Sequence, residues 1–145
     1  MFSKTCEYGI KATLYIASES LEGKRVSLKS IVKEIETPEA FTAKILQKLS
    51  KSKIITSNRG SLGGFSIPPE NLNNIYLSQI VSVLDGDDIY TSCGLGMKKC
   101  DAKNPCPLHH KFVNIRSELK QMLEQTTILN LVQDLKNGTT FLKRN

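Results

Sequence analysis

Apolar residues recur every three or four positions in six stretches of the chain, which predicts six helices. These stretches cover residues 5–20, 28–35, 38–50, 75–84, 108–125 and 127–136. Between the third and fourth lie two short apolar runs, 54–57 and 65–67, which predict two strands. The glycine-rich segment between the runs, 59–64, has the composition of a tight turn. The pattern therefore predicts a mostly α-helical protein with one small β-hairpin.

The second and third predicted helices are separated by a very short turn, which is typical of a helix-turn-helix unit. Ser27 is predicted to cap the second helix, and Thr37 to cap the third with Pro38 at its first position. The hairpin that follows would form the wing. We therefore expect a winged helix-turn-helix DNA-binding domain over 1–84, a cysteine-rich cluster-binding loop over 85–107, and a dimerisation helix with a C-terminal helix over 108–145.

The long helix after Pro107 carries an apolar seam at 3-4-3-4 spacing, which suits packing against another helix. Its members are Phe112, Ile115, Leu119, Met122 and Thr126. Such a seam can also pack on its own domain. Because the domain is small and the seam is long, the pattern favours a homodimer.

The charge distribution of the chain favours a polyanionic partner. The net charge is +6, and residues 1–66 contain 11 Lys and Arg against 6 Asp and Glu. A cationic N-terminal part favours double-stranded DNA as the partner, although a solvated lysine surface would look the same. The chain has neither a signal-peptide pattern nor an apolar run of membrane-spanning length, so we expect a cytoplasmic protein that does not bind membranes.

The third helix has an apolar back and a cationic front, as a helix in the major groove requires. Arg59 at the hairpin tip suits a narrow minor groove, where the negative potential is strongest. Hydroxyls and loop amides nearby suit phosphates. The predicted DNA-contacting residues are Ser27, Ala40, Thr42, Ala43, Lys44, Lys48, Arg59, Ser61 and Gly63, with Phe41 on the apolar back.

Three cysteines and a histidine, Cys93, Cys100, Cys106 and His109, crowd one Pro- and Gly-containing segment. Soft thiolates select zinc, copper(I) or iron–sulfur clusters. The gaps between the cysteines are wider than in structural zinc sites, and they favour an iron–sulfur cluster held by the three cysteines. His109 or Glu7 would be the fourth ligand, whereas the remaining cysteine, Cys6, is expected to be a buried apolar residue.

The chain resembles the cluster-sensing winged-helix regulators typified by IscR and NsrR. The resemblance lies in the opening helix from Ser3 to Ala12, in the hairpin motif from Arg59 to Phe65, and in the cysteine loop. It implies a homodimer with crossed long helices and a [2Fe–2S] or [4Fe–4S] cluster that controls operator affinity. It also implies His109 as a ligand of the IscR type, or Glu7, from the other subunit, as one of the NsrR type. Ala43 and Lys44 stand where IscR has Glu and Gln, so base preference should differ.

The resulting hypothesis is a transcription regulator whose operator affinity depends on an iron–sulfur cluster that senses redox state, nitric oxide or iron supply. No catalytic residues and no small-molecule substrate are expected. Two alternatives stay open at this point. One is a winged-helix regulator with structural zinc or without metal. The other is a thiol-redox or electron-transfer protein, although the chain has no CxxC motif.

Overall fold

The computed structural model describes residues 1–143 and consists of seven α-helices, one 3₁₀ helix and one antiparallel hairpin within that range. The helices are α1 (Lys4–Ser20), α2 (Leu28–Ile35), α3 (Glu39–Lys51), α4 (Leu77–Asp85), α5 (Asp88–Thr91), α6 (His109–Gln125) and α7 (Ile128–Lys136). The strands are β1 (Thr56–Asn58) and β2 (Gly64–Ser66), and the 3₁₀ helix is Pro69–Asn74. The prediction of a mostly helical chain with one small hairpin is confirmed. The predicted 108–145 segment extends to Arg144 and Asn145, which lie outside the described residues.

One apolar core is shared by the N-terminal and C-terminal helices. α1 packs against α2, α3, α4 and α7, so residues from both ends of the chain meet on it. The fully buried side chains include Ile16, Ile31, Leu46, Leu49, Ile80, Leu123, Ile128 and Val132. Burying such side chains contributes roughly 1.5–3 kcal/mol each relative to leaving them exposed. The core therefore connects α3, the helix predicted to lie in the major groove, to α7 through their shared contacts with α1.

The beginning of α1 is fastened to the end of α4. The Ser3 hydroxyl caps α1 by accepting from the Cys6 amide at 3.0 Å. The same residue donates its amide and its hydroxyl to the Asp85 carboxylate. Farther along α1, Gly9 lies so close to α4 that an added Cβ would come within 2.2 Å of Leu84 Cδ1. Glycine thus permits the close approach of α1 and α4 at this crossing.

Two N-terminal helix predictions differ from the structure in detail. Ser27 caps α2 as predicted, since its hydroxyl accepts from the Ser30 amide at 3.1 Å. Thr37 does not cap α3; Pro38 takes the N-cap position, and the Thr37 hydroxyl bonds to the buried Thr42 hydroxyl at 2.7 Å instead. Phe41 was predicted to point inward. It is 39% exposed and packs edge-to-face on Tyr8, with ring centroids 5.8 Å apart.

The first strand of the hairpin begins later in the chain than its apolar run suggested, and the second begins one residue earlier. Ile54 and Ile55, predicted to open the first strand, are instead buried in the core ahead of β1. Thr56, Ser57 and Asn58 pair with Ser66, Phe65 and Gly64. Gly64 has a φ of +128°, and a Cβ there would lie 2.7 Å from the Val26 carbonyl oxygen. Only glycine fits this position, where the hairpin meets the Val26 backbone.

Buried Cys6 confirms the expectation of an apolar cysteine in α1. Its side chain is fully buried, and this burial, together with the Asp85 carboxylate, raises the pKa of the thiol from 9.0 to about 12. Because the folded pKa is the higher one, the protonated thiol contributes stability below pH 9. That contribution is lost as the pH rises toward 12.

We therefore expect the stability advantage of the parent protein over a Cys6→Ala variant to shrink by about 1 kcal/mol per pH unit above pH 9. Urea unfolding of both proteins under strong reductant, from pH 7.5 to 10.5, measures this difference. The comparison cancels the titration of lysines and tyrosines, which the two proteins share. An advantage that stayed constant across that range would contradict the assignment.

Candidate nucleic-acid interface and cysteine loop

The exposed face of α3 and the hairpin lie side by side and form the candidate nucleic-acid interface. Ala40, Lys44 and Lys48 are exposed on α3, and Ala43 is half-buried. The exposed residues of the hairpin and its turn include Arg59 and Ser61. Of the side chains that the sequence singled out, the structure brings Ala43, Lys44 and Arg59 together at one cleft.

Thr42 is wrongly predicted as a DNA contact. It is fully buried, and its hydroxyl donates to the Pro38 carbonyl oxygen at 2.7 Å while bonding to Thr37. A threonine in the first turns of a helix can satisfy its hydroxyl on a carbonyl four residues earlier and so enter an apolar core. Its role is to fix the α2–α3 turn.

Gly63 and Ser27, two other predicted DNA contacts, stabilise the local structure of the same region. A Cβ at Gly63 would lie 2.4 Å from the Asn58 carbonyl oxygen, so the turn requires glycine there for steric reasons. Ser27 is exposed, but its hydroxyl already accepts from the Ser30 amide. Arg25 stabilises the hairpin from outside by donating to the Leu62 carbonyl oxygen at 3.0 Å.

A polar cleft of about 330 Å³ separates α3 from the hairpin. Its walls are Ala43, Lys44, Gln47, Ser50, Ser57, Arg59 and Phe65, two cations with no carboxylate. The Ser50 hydroxyl is buried, and it has no hydrogen-bond partner among residues 1–143. Gln47, Ser50 and Ser57 were missed from the sequence because an isolated polar residue on a helix or strand carries no signal of what it faces.

The cysteine loop, residues 92–106, connects α5 to α6. His109 is the first residue of α6 and is buried, with its Nδ1 3.2 Å from the Cys100 Sγ. Cys106 is close enough to Cys93 to help lower the pKa of the Cys93 thiol. The contact between Cys100 and His109 thus joins the loop to α6, and Cys93 and Cys106 lie near each other in the loop. Within the described residues no three His, Cys, Asp or Glu side chains converge as a metal site.

The surroundings of Cys93 stabilise its thiolate. The Leu95 amide donates to its sulfur at 3.4 Å. Amide donation from Leu95 and Met97 lowers the pKa of this thiol, and the Arg116 charge and the Cys106 thiol add to that effect. A thiol whose ionised form is stabilised is a better metal ligand, since the thiolate is the species that ligates.

Glu7, the other predicted ligand, lies in the first turn of α1 and pairs with Lys4 at 3.0 Å. The beginning of α1 nevertheless approaches the loop. A largely apolar pocket of about 830 Å³ is shared by Met1, Phe2 and Ser3 from the N-terminus, Cys93 and Gly94 from the loop, and residues of α5 and α6. His110 is exposed.

Comparison with known proteins decides the family. The Rrf2 profile, described as iron-dependent transcriptional regulators, matches residues 2–134. The chain belongs to the Rrf2 family. Its curated Rrf2-like relatives include an HTH-type transcriptional regulator of Aquifex aeolicus, 32% identical over 91% of each chain. A second, from Haemophilus influenzae, is 25% identical over 86% of this chain and 81% of its own.

Solved structures share the fold of this Rrf2 chain at low sequence identity. CymR of B. subtilis, described as the global cysteine regulator, has a TM-score of 0.76 at 22% identity and covers 92% of this chain and 96% of its own. T. potens IscR has a TM-score of 0.74 at 20% identity, covering 97% and 92%. The predicted winged-helix fold and the resemblance to IscR-type regulators are confirmed. The Rrf2 chain is a transcriptional regulator, and in residues 1–143 no helix has the length and apolar character to cross a membrane.

Proposed function

We propose that this Rrf2 protein is a cytoplasmic regulator whose affinity for operator DNA is set by an iron–sulfur cluster held by Cys93, Cys100 and Cys106. The observation that carries the proposal is the contact between Cys100 and His109, which joins the loop to the first residue of α6. Three soft thiols and an imidazole on one loop fit an iron–sulfur cluster in donor type. His109 is the better supported fourth ligand, with Glu7 as the alternative.

The cluster would supply a redox-sensitive and ligand-sensitive group at the base of α6. The chain's own residues do the coupling. His109 and Arg116 on α6 both contact Cys100, so a shift of that sulfur acts on the helix directly. α6 packs against α4, and α4 packs against α3. A change in the loop therefore has a continuous packed route to the reading helix.

A homodimer through α6 belongs to the same proposal. Ile115 and Met122 of the predicted seam are 57% and 47% exposed, and they lie two helical turns apart on the same face of α6. Apolar side chains exposed on one face of a helix favour a partner helix. In the dimer, each subunit would contribute one reading head, formed by the exposed face of α3 and the hairpin. The two reading heads would then contact half-sites about one DNA turn apart, ~34–36 Å. Sedimentation of the parent and of an Ile115→Glu variant tests this interface, because a carboxylate in an apolar helix pair would separate the subunits.

The test of the cluster is anaerobic isolation with iron and sulfide analysis and Mössbauer spectroscopy, coupled to operator-binding assays with and without the cluster. We expect a coloured protein with sulfur-to-iron charge-transfer absorbance. A colourless, iron-free product under these conditions would contradict the proposal. Zinc at one ion per chain would instead favour the second candidate, a winged-helix regulator with a structural metal. Because a structural zinc site also needs converging donors, the lack of three such donors in residues 1–143 favours the form of this candidate without metal.

For DNA, we propose that the cleft between α3 and the hairpin receives one backbone phosphate where a strand passes from the major to the minor groove. Lys44 and Arg59 supply the charge, and the exposed Gln47 and Ser57 supply neutral donors. Phosphate contacts of this kind position a protein on DNA without reading sequence. The two cations and the lack of a carboxylate among the residues that line the cleft support an anionic occupant.

A Gln47→Glu variant should therefore bind DNA roughly tenfold more weakly, by about the same factor on every sequence, with a salt dependence about one counterion shallower. The cause is repulsion between the new carboxylate and the phosphate. Fluorescence anisotropy at several salt concentrations measures both quantities. Gln121→Glu, an exposed position on α6, makes the same charge change away from the cleft and should bind like the parent. A loss confined to one operator sequence would mean that Gln47 contacts a base instead.

A further inference from the structure

Arg116 reaches back from α6 to two points of the cysteine loop. Its Nη1 donates to the Ser92 carbonyl oxygen at 2.7 Å, and its Nη2 donates to the Cys100 Sγ at 2.9 Å. Ser92 ends α5 and directly precedes Cys93. One planar guanidinium therefore joins the root of the loop to its second cysteine.

The partial burial of this arginine has a cost in free energy. Arg116 is half-buried beside Phe112, Ile115 and Leu119 in the apolar pocket, and its Nε is buried with no hydrogen-bond partner among residues 1–143. In the same range it forms no ion pair with a carboxylate. A buried donor left unpaired costs roughly 1–3 kcal/mol. Its charge-assisted hydrogen bonds to the Ser92 carbonyl oxygen and the Cys100 sulfur offset this cost.

His109 and Arg116 stand seven residues apart on α6, two helical turns, and both contact the Cys100 sulfur. Cys100 is thereby fixed between two side chains of one rigid element. A lysine could not replace this arginine, because a single ammonium does not present the planar fork that spans two acceptors. The geometry fixes Cys100 relative to Ser92, and hence relative to the neighbouring Cys93.

We propose that Arg116 is a positioning residue of the sulfur site: it holds Cys100 near the root of the loop and donates a hydrogen bond to its sulfur. The first half of this proposal concerns the ligand-free loop alone. The second half rests on the proposed cluster function, because a donor to a ligating sulfur raises the reduction potential of the cluster that it binds.

The first test uses the full-length, cluster-free protein. Arg116→Gln and Arg116→Lys should each speed amide hydrogen exchange over residues 92–99 roughly tenfold, as expected when a bond worth about 1.4 kcal/mol is lost from a local opening. Glu118→Gln, at an exposed position of α6, should leave exchange unchanged. Equal exchange in the parent and in both Arg116 variants would overturn the proposal, whether or not the protein ever holds a cluster. Circular dichroism establishes that the variants fold.

A double-mutant cycle with Cys100→Ala, which removes the acceptor, separates the sulfur contact from the Ser92 contact. If Arg116 acts through the sulfur, Arg116→Gln has a smaller effect on exchange in the Cys100→Ala background than in the parent. Strict additivity would mean that Arg116 supports only the backbone, and would overturn the sulfur role. In protein that contains the cluster, the Arg116→Gln variant should show a lower midpoint potential, and an unchanged potential would also count against that role.

Discussion

Replacing Cys93, Cys100 and Cys106 together with serine should abolish the colour that we expect of the anaerobically isolated protein, and should make its operator affinity independent of oxidant, nitric oxide and iron supply. This is the largest effect that we expect. Serine hydroxyls remain protonated near neutral pH and are hard donors, whereas thiolates are soft ligands of iron. Gel-shift titrations of one operator under each condition, together with iron analysis, provide the measurement.

Cys6→Ala is the matched control for the triple serine variant. Cys6 is a buried cysteine of the same chain that lies in α1 and outside the loop. This variant should keep its colour and its response to oxidant, even though it loses some stability. A triple serine variant that still switched its operator affinity would show that the signal enters the protein elsewhere.

The second large effect concerns the reading head. The double variant Lys44→Ala, Arg59→Ala should bind its operator about a hundredfold more weakly, since each such contact contributes roughly 1–3 kcal/mol. Both side chains are exposed and line the cleft between α3 and the hairpin, so the fold should not depend on them. Arg59→Ala alone should lose more on sites with an A·T-rich, narrow minor groove.

A charge-matched control keeps this result interpretable. Lys111→Ala, Lys120→Ala removes the same two charges from exposed positions on α6. General electrostatic attraction to DNA falls equally in both double variants, so only the difference between them reports the reading head. If the two double variants bound alike, the reading head would have been assigned to the wrong surface.

The helices were predictable because their burial follows a simple period. Each long predicted helix begins and ends within about two residues of the observed one, and α2 matches at both ends. The hairpin was less predictable. Ile54 and Ile55 have the β-branched composition of a strand, but they are buried in the core, and the pairing of β1 with β2 begins only after them. Local composition cannot distinguish a buried strand from a buried connection.

The candidate site, too, could be predicted from the sequence only in part. Exposed cations at helical spacing, such as Lys44 and Lys48, were visible in the sequence because the apolar back of α3 fixes which face is free. Thr42 misled because a polar residue was taken to be a surface residue, although its hydroxyl is satisfied within the helix. Arg116 gave no signal at all. It lies 16 positions from Cys100, and only the folded chain brings the two together.

The crossing of α1 and α4 at Gly9 has a practical consequence. Nothing larger than hydrogen fits between the α1 backbone and Leu84 there, and α4 leads within a few residues into α5 and Ser92. A methyl group added at position 9 would therefore force the Leu84 side chain into another rotamer or move α1 and α4 slightly apart. Gly9→Ala is thus a substitution that alters the packing next to the sulfur-bearing segment and leaves every proposed ligand and DNA contact in place.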